Sequence, residues 1–375
     1  MFSQSRSFPL LAAPLLLAGC ASLPLEGKRA DQAAIYTLYH HAAEAGYNFD
    51  GESRITSLRI PGKSTPASEA LMQELAGSFR FQYRGAVDMT QGRIELIPTV
   101  RFTRPQAEAW VRFPLQLQLD TLTLYVDGSV ADLMFPSLKH KLVKFQLPQD
   151  KLKDVPVAAV LAEVPEIVQR VYAAVERQAY TFQPLTAADR QRGAQYRIRL
   201  TLDPVADRVL TRQMVTELVA SIKRHSDSPD VQAFADGLAG MAASEPLRLQ
   251  SESQTELLVS RQGKLLAMEE QRSVAVGGAD GMKLGLLTRL DVSNSGKPVF
   301  TLQPTAANVV DYKNVELPAW MKPAVTDAAA EPAEEADKEA DAAAQAAPAA
   351  PVKPATKATP APKAKPKKRQ LAKAA

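Results

Sequence analysis

The sequence is poor in the residue types on which many enzymes and covalently stabilised folds depend. Its 375 residues include one Cys and four His. A single Cys cannot form an intramolecular disulfide or build a cysteine-based zinc cluster. No run of about 20 apolar residues occurs, so the sequence predicts no membrane-spanning helix. Hydrophobic residues nevertheless make up 46% of the chain, which is enough for a core and excludes a wholly disordered protein.

Motifs of catalysis and metal binding are also missing from the sequence. There is no Gly-x-Ser-x-Gly elbow, and His40 and His41 are adjacent. Neighbours on a helix point about 100° apart, so these two His do not have the i,i+4 spacing of a metal-binding pair. Glu269 and Glu270 would point to opposite faces of a strand. We therefore expect a non-enzymatic protein that has no catalytic residue and requires no metal or other cofactor.

The first 20 residues carry the most specific signal in the sequence. Arg6 precedes an apolar run over residues 9–19, which is too short to span a bilayer and typical of the core of a signal peptide. The run ends in Leu17-Ala18-Gly19-Cys20, which resembles the lipobox of bacterial lipoproteins. A buried helix with an incidental Cys is the alternative. The N-terminal position and the small residues before Cys20 argue against that alternative.

The resemblance to bacterial lipoproteins implies that the protein is located in the cell envelope. It implies that residues 1–19 are a signal peptide, that cleavage precedes Cys20, and that Cys20 then carries lipid, including palmitate. Ala21 follows Cys20 where Asp would retain the protein at the inner membrane, so the resemblance implies the outer membrane, facing the periplasm. Residues 20–30 form a tether of at most roughly 35 Å. Such an anchor holds a protein on a membrane without spanning it.

The pattern of the body predicts an α+β fold. Helical periodicity covers residues 31–45, 157–180 and 204–223, and Asp203-Pro204 has the sequence of a helix N-cap. Alternating apolar and polar residues predict antiparallel strands within 79–89 and 111–126, and a further set over 252–262, 264–276, 282–293 and 298–303. Helix followed by strands occurs twice. We therefore predict an N-terminal half (31–155) and a C-terminal half (156–323), with curved, half-barrel-like antiparallel sheets, one or two in number, packed with helices.

This plan resembles the LolA/LolB lipoprotein-carrier superfamily, in which a bent antiparallel sheet cups helices over an apolar groove. The resemblance is architectural, covers about two thirds of the chain and rests on no diagnostic motif. It implies a groove that shields acyl chains. The candidate groove residues are aromatic: Phe79, Phe81, Tyr83, Trp110 and Phe113. The same residues could instead fill a core, and the two alternatives differ in whether the side chains leave open volume.

Residues 324–375 have a different composition from the body. Of these 52 residues 21 are Ala and 7 are Pro, and none is aromatic, so we expect a disordered tail. Residues 327–341 carry a net charge of −6 and residues 353–373 a net charge of +8. Because the N-terminal sequence implies export from the cytoplasm, nucleic acid is not an expected partner. Peptidoglycan or anionic lipid is the expected contact of a basic cluster near the end, formed by Lys363, Lys365, Lys367, Lys368 and Arg369.

Two functions follow from these patterns. The first is an anchored lipoprotein that binds a lipid, an acyl chain or another lipoprotein in an apolar groove. The second is a structural envelope lipoprotein that contacts peptidoglycan or another anionic polymer through its basic tail, with an inert solubilising tail as the alternative. Of the net charge of +4, only +1 falls on residues 20–323. A partner attracted by overall charge is therefore expected at the tail.

Overall fold

The computed structural model describes residues 24–62, 65–132, 135–147, 155–243, 250–277 and 281–315. The predicted signal peptide, Cys20 and the tail lie outside these residues. The described part is α+β, as predicted, and no helix in it is long and apolar enough to cross a membrane. Its α-helices are α1 (Ala30–Ala42), α2 (Pro66–Gly77), α3 (Val157–Ala173), α4 (Ala187–Gln191), α5 (Pro204–His225) and α6 (Pro229–Ala243).

Thirteen strands in the described residues form one sheet. They are β1 (Gly46–Arg59), β2 (Phe79–Asp88), β3 (Arg93–Arg104), β4 (Ala107–Arg112), β5 (Leu115–Gln118), β6 (Thr123–Asp127), β7 (Leu142–Gln146), β8 (Tyr180–Gln183), β9 (Ala194–Leu202), β10 (Gln250–Ser260), β11 (Leu265–Val276), β12 (Met282–Ser293) and β13 (Val309–Asp311). The order is β13-β7-β6-β5-β3-β2-β1-β12-β11-β10-β9-β8, with β4 also paired to β3. Neighbours are antiparallel except β13 and β7.

The sheet continues across the boundary predicted between residues 155 and 156. β1, from the predicted N-terminal half, pairs along its length with β12 from the C-terminal half. The two halves therefore share one sheet rather than forming two. Periodicity identifies strands but carries no information about which distant strand each one pairs with. For that reason the sequence left the number of sheets open.

One face of the sheet, here called the helix face, is apolar along a row that crosses eight strands. The row consists of residues directly opposite one another, which share a face: Phe182, Ile198, Leu257, Met268, Leu290, Gly51, Tyr83 and Pro98. Over β9–β11 this face is covered by α1. The buried Ala30, Ala33 and Ala34 of α1 lie in the same core as Ile198 and Leu257. Small side chains let the helix approach the sheet closely.

The opposite face, here called the charged face, is covered over β3 and β5 by the segment 298–303. The predicted strand there is wrong. The Glu95 carboxylate accepts the backbone N–H groups of Thr301 (2.9 Å) and Leu302 (2.6 Å), and the Gln116 amide donates to the Leu302 carbonyl (3.0 Å). Side chains, rather than a neighbouring strand, satisfy this backbone. Alternation of residue types cannot distinguish these two arrangements.

Two further predictions need correction at their boundaries. The helix predicted over 157–180 ends at Ala173, and β8 begins at Tyr180. The region 111–126 is divided among β4, β5 and β6, with Pro114 between the first two. In β5 the buried residue is Gln116, because its amide reaches the covering segment. The predicted N-cap is confirmed: the Asp203 carboxylate accepts the N–H groups of the first turn of α5.

Candidate functional site

An aromatic stripe runs along the helix face from α1 to the β2–β3 region. The Tyr47 ring lies 4.6 Å from that of His41 and 6.5 Å from Phe49, and Phe49 lies 6.5 Å from Tyr83. Tyr83 and Phe81 are 5.7 Å apart, measured between ring centroids. We call the five rings His41, Tyr47, Phe49, Tyr83 and Phe81 the aromatic stripe. The stripe extends from the end of α1, which covers β9–β11, to β2, where the helix face is more exposed.

Close packing under the stripe depends on glycines. A Cβ atom on Gly51 would lie 2.4 Å from the Tyr83 ring, and one on Gly85 would lie 2.6 Å from the Phe49 ring and 2.0 Å from the Glu95 carbonyl oxygen. Only a residue without a side chain fits at these positions. The Tyr83 and Phe49 rings therefore lie close above the glycine backbone of the neighbouring strand, which holds them in place.

The stripe is uncharged at neutral pH. Burial lowers the pKa of His41, which favours its neutral form, although Glu44 opposes the shift. Burial raises the pKa of Tyr47 and of Tyr83, so both phenols keep their protons. The common cause is the cost of a charge in apolar surroundings. The electrostatics of the stripe therefore suit an apolar ligand.

At β2, β3 and β4 the helix face becomes exposed. Directly opposite positions form three rows of three, and none of the nine side chains is charged: Phe79, Phe102 and Ala109; Phe81, Val100 and Val111; Tyr83, Pro98 and Phe113. Phe113 follows β4 and is placed in the third row by its N–H bond to the Pro98 carbonyl (2.9 Å). Ala109 is exposed, and so are five members with large side chains: Phe79, Phe81, Val100, Val111 and Phe113. We call these five residues the exposed apolar patch.

The structure thus brings together four of the five aromatic residues predicted for a groove, and separates the fifth. Phe79, Phe81, Tyr83 and Phe113 share the helix face. Trp110 is directly opposite Arg101 and points to the charged face. Its assignment to the groove is corrected because neighbours in a strand face opposite sides. None of these five residues is buried, so they do not form the core that was the alternative.

Helix α2 lies beside the exposed apolar patch. Arg104, on the helix face of β3, pairs with Glu74 of α2 at 3.4 Å, which places the helix on that side of the sheet. Three apolar side chains of α2 are exposed: Leu71, Met72 and Leu75. Thr65 caps the helix by accepting the N–H of Ser68. An amphipathic helix with its apolar residues in solvent extends the apolar surface available at this end of the molecule.

A second apolar depression lies between α3 and α5. It has a volume of about 560 Å³, and its apolar lining includes Val171, Val175, Val209 and Leu210. Polar groups such as Glu176 and Asp203 also line it. Its walls come from the helices more than from the sheet, and the aromatic stripe does not enter it. It is therefore a competing location for an apolar ligand.

The polar clusters on the described residues tie elements together. Asp207 of α5 is buried, lies 2.9 Å from Arg272 and accepts hydrogen bonds from the hydroxyls of Ser251 and Ser253. Glu256 pairs with Arg197 and Arg199 on the charged face. Among the residues that the structure describes, no group of three His, Cys, Asp or Glu side chains is arranged to hold a metal ion.

Sequence reasoning missed several members of the site. Tyr47 and Phe49 alternate with polar residues, which is typical of one face of a strand. The following Asp50-Gly51 is typical of a turn, however, and obscures this pattern. Val100 belongs to β3, a strand that lies outside the ranges predicted from the sequence. Comparison of the sequence with models of known protein families and with curated proteins finds no match. The case for function therefore rests on the geometry of the chain itself.

Proposed function

We propose that this protein is a non-enzymatic lipoprotein, anchored in the outer membrane through Cys20, that binds an acyl chain on the exposed apolar patch. The acyl chain is free or carried by another lipoprotein. One observation carries the proposal: nine adjoining positions on β2, β3 and the segment of β4 and Phe113 contain no charged side chain, and six of them are exposed. Contiguous apolar surface of this kind marks a binding site on a soluble domain.

The chemistry of the patch suits a flexible hydrocarbon. Transfer of an acyl chain from water to an apolar surface is favourable by about 0.8 kcal/mol for each CH₂ group buried. Aromatic rings provide a large contact area with few rotatable bonds. Tyr83 is held by its contact with Gly51, so it loses little freedom when a ligand binds. An ordered surface of this kind lowers the entropic cost of binding.

The position of the body relative to its anchor supports the same proposal. The tether is shorter than predicted, because Leu25 is already buried in the core that contains α1; the five residues from Cys20 to Leu25 reach roughly 18 Å at most. An acyl-binding surface so tethered would work beside the membrane that supplies or receives the chain. The single, mostly antiparallel sheet with α1 and α5 on one face also resembles the LolA/LolB arrangement, although architecture alone does not assign function.

A neutral probe tests the proposal without interference from the basic tail. The chain from residue 20 onward, with Cys20→Ala, is titrated with a fluorescent acyl ester, and a diacylated lipopeptide is added as competitor. We expect saturable one-to-one binding that the lipopeptide displaces. Phe81→Ser should weaken binding about tenfold, which corresponds to about 1.4 kcal/mol. Phe234→Ser, which removes an exposed ring from α6, is the matched control and should leave binding unchanged.

Native mass spectrometry of the same purified chain provides an independent readout. We expect a fraction of the protein to carry a co-purified lipid, and Phe81→Ser to reduce that fraction. Absence of both the lipid adduct and saturable ester binding would refute an acyl-binding function. Equal weakening by Phe81→Ser and Phe234→Ser would show that the ester binds nonspecifically and would remove the support for the patch.

A further inference from the structure

The charged face of β1–β4 contains a cluster of arginines of which only some are paired with carboxylates. Arg54 lies directly opposite Arg80, Arg80 opposite Arg101, and Arg101 opposite Trp110. Like charges at directly opposite positions destabilise a sheet. The next rows on this face add Arg84 and Arg112. Arg80 is paired with Glu52 at 3.5 Å and Arg101 with Glu108, whereas no ion pair is found for Arg54, Arg84 or Arg112 among the described residues.

Elsewhere on the charged face each arginine of the neighbouring row has a carboxylate partner. Arg199 pairs with Glu256, and Arg289 pairs with Glu269 at 2.7 Å. The row continues through Glu52, Gln82 and Thr99 and ends at Arg112. In the described residues no ion pair is found for Arg112, and its buried Nε has no hydrogen-bond partner. Within the described part of the chain, Arg112, at this end of the row, therefore lacks the carboxylate partner that Arg199 and Arg289 have.

Arg112 lies in an open pocket of about 370 Å³ on the charged face. Its polar and aromatic lining includes Asp50, Gln82, Arg84, Thr99, Arg101, Trp110 and Arg112. Arg101 also pairs with Glu108, whereas no ion pair involves Arg84 among the described residues. Two guanidinium groups without a carboxylate partner thus line one pocket beside an indole ring that is 62% exposed. The single carboxylate in the lining, Asp50, leaves the pocket with a positive balance.

We propose that this pocket binds a phosphate group, held by Arg84 and Arg112, with Trp110 against the remainder of the ligand. The planar fork of a guanidinium matches the oxygens of a phosphate and forms paired hydrogen bonds with them. A phosphate in this open pocket would accept hydrogen bonds from the terminal N–H groups of the two guanidiniums. The phosphate could belong to a small soluble compound or to a lipid head group. This site is on the opposite face from the exposed apolar patch and is independent of acyl binding.

Trp110 gives a local readout of this pocket. The sequence contains two Trp residues, Trp110 and Trp320, so Trp320→Phe leaves Trp110 as the only indole. The full lipidated chain with this change is studied in neutral detergent micelles. One arm adds pyrophosphate at constant ionic strength maintained with potassium chloride. The other arm adds phosphatidylglycerol to the micelles, with an equal amount of phosphatidylcholine as its control.

We expect a saturable change in Trp110 emission in at least one arm. A response to pyrophosphate supports a soluble phosphate ligand, and a response confined to phosphatidylglycerol supports a lipid head group. Arg84→Gln and Arg112→Gln should each weaken the response at least tenfold. Arg192→Gln, which removes a surface arginine paired with Asp291, should leave it unchanged. The responding ligand should also raise the melting temperature of the parent chain and not that of the Arg112→Gln variant.

No response in either arm, or an equal loss with Arg192→Gln, would overturn the proposal. Circular dichroism verifies that each variant is folded, and the use of two separate arginine variants guards against the misfolding of one. Because the neutral acyl ester contacts the other face, Arg112→Gln should leave ester binding unchanged. Failure of the phosphate site is therefore distinguishable from failure of acyl binding.

Discussion

Phe81 in β2 lies directly opposite Val100 in β3, and the two side chains are 43% and 46% exposed. On the same face of the same sheet, Ile198 and Leu257 are also directly opposite each other and are buried beneath α1. The helix face is thus a core over β9–β11 and an open surface over β2–β4. This contrast within one continuous sheet is the basis of the proposed acyl-binding function.

This contrast predicts that removing an apolar side chain lowers the free energy of unfolding much more at the buried end of the helix face than at the exposed end. Ile198→Ala leaves a cavity in the core and should lower the free energy of unfolding by about 2–5 kcal/mol. Phe81→Ser, at an exposed position, should lower it by about 1 kcal/mol. Chemical denaturation followed by circular dichroism measures both. A loss at Phe81 as large as that at Ile198 would make Phe81 a core residue and would contradict the account.

The buried carboxylate of Asp207 should be important for attaching α5 to the sheet. Its side chain is only 2% exposed, and it accepts hydrogen bonds from Arg272, Ser251 and Ser253. Asp207→Ala leaves these donors without their acceptor. Because Arg272 is one-third exposed and keeps Glu270, the expected loss in free energy of unfolding is about 2–3 kcal/mol, below that for a fully buried pair.

The control for Asp207 is Asp291→Ala, which breaks the exposed pair with Arg192. Exposed ion pairs contribute about 0–1 kcal/mol. Thermal or denaturant unfolding of both variants is compared with that of the parent chain. Equal small losses would mean that the Asp207 cluster does not secure α5.

The contact of Glu163 in α3 with the end of α5 should stabilise the fold in a way that depends on pH. Hydrogen bonds from His225 and Arg224 lower its pKa from 4.5 to about 2. A carboxylate with a lowered folded-state pKa stabilises the fold above its unfolded pKa, and this contribution is lost as the pH falls towards 2. The parent chain should therefore be more stable than Glu163→Gln at pH 6. The difference in melting temperature should decline between pH 4.5 and 2.

A difference between the parent chain and Glu163→Gln that does not change over that pH range would contradict the assignment. Other carboxylates with lowered pKa values, such as Glu256, titrate in both proteins. The comparison of the two proteins at each pH therefore isolates the contribution of Glu163.

The resemblance of Leu17-Ala18-Gly19-Cys20 to a lipobox predicts how the N-terminus is processed in a bacterial host. The mature protein should begin at Cys20 and incorporate labelled palmitate. Cys20→Ser should abolish the label and release the protein from the membrane fraction. Intact-mass spectrometry and membrane fractionation measure these outcomes. A full-length chain without added lipid would show that residues 17–20 are not used as a lipobox.

The basic tail predicts a salt-dependent contact with the cell wall. Deletion of residues 324–375 should abolish sedimentation with purified peptidoglycan at low ionic strength. Neutralising only the terminal cluster, Lys363, Lys365, Lys367, Lys368 and Arg369, to Gln should have most of the same effect. Raising the salt concentration should release the parent chain, because exposed charges are screened. Sedimentation that survives both changes would argue against the tail as the contact.

Local patterns in the sequence account for the elements, whereas the site depends on long-range pairing. Apolar periodicity and Asp203-Pro204 indicate α5, and alternation places Phe79, Phe81 and Tyr83 on one face. The nine uncharged positions come together only through the register of β2, β3 and β4, which local alternation does not specify. The pairing of β1 with β12 likewise required the structure. The position of Trp110, in contrast, follows from the sequence alone. Adjacent residues in a strand, such as Trp110 and Val111, point to opposite faces of the sheet.

The position of a bound acyl chain is the measurement that tests the central claim most directly. The chain from residue 20 onward, with Cys20→Ala, is loaded with a neutral acyl ester that carries a photoactivatable diazirine, irradiated, digested and analysed by tandem mass spectrometry. The account predicts labels concentrated on residues 79–83, 98–102 and 111–113, and their loss with excess lipopeptide. Labels concentrated on the depression between α3 and α5, or scattered without competition, would contradict it.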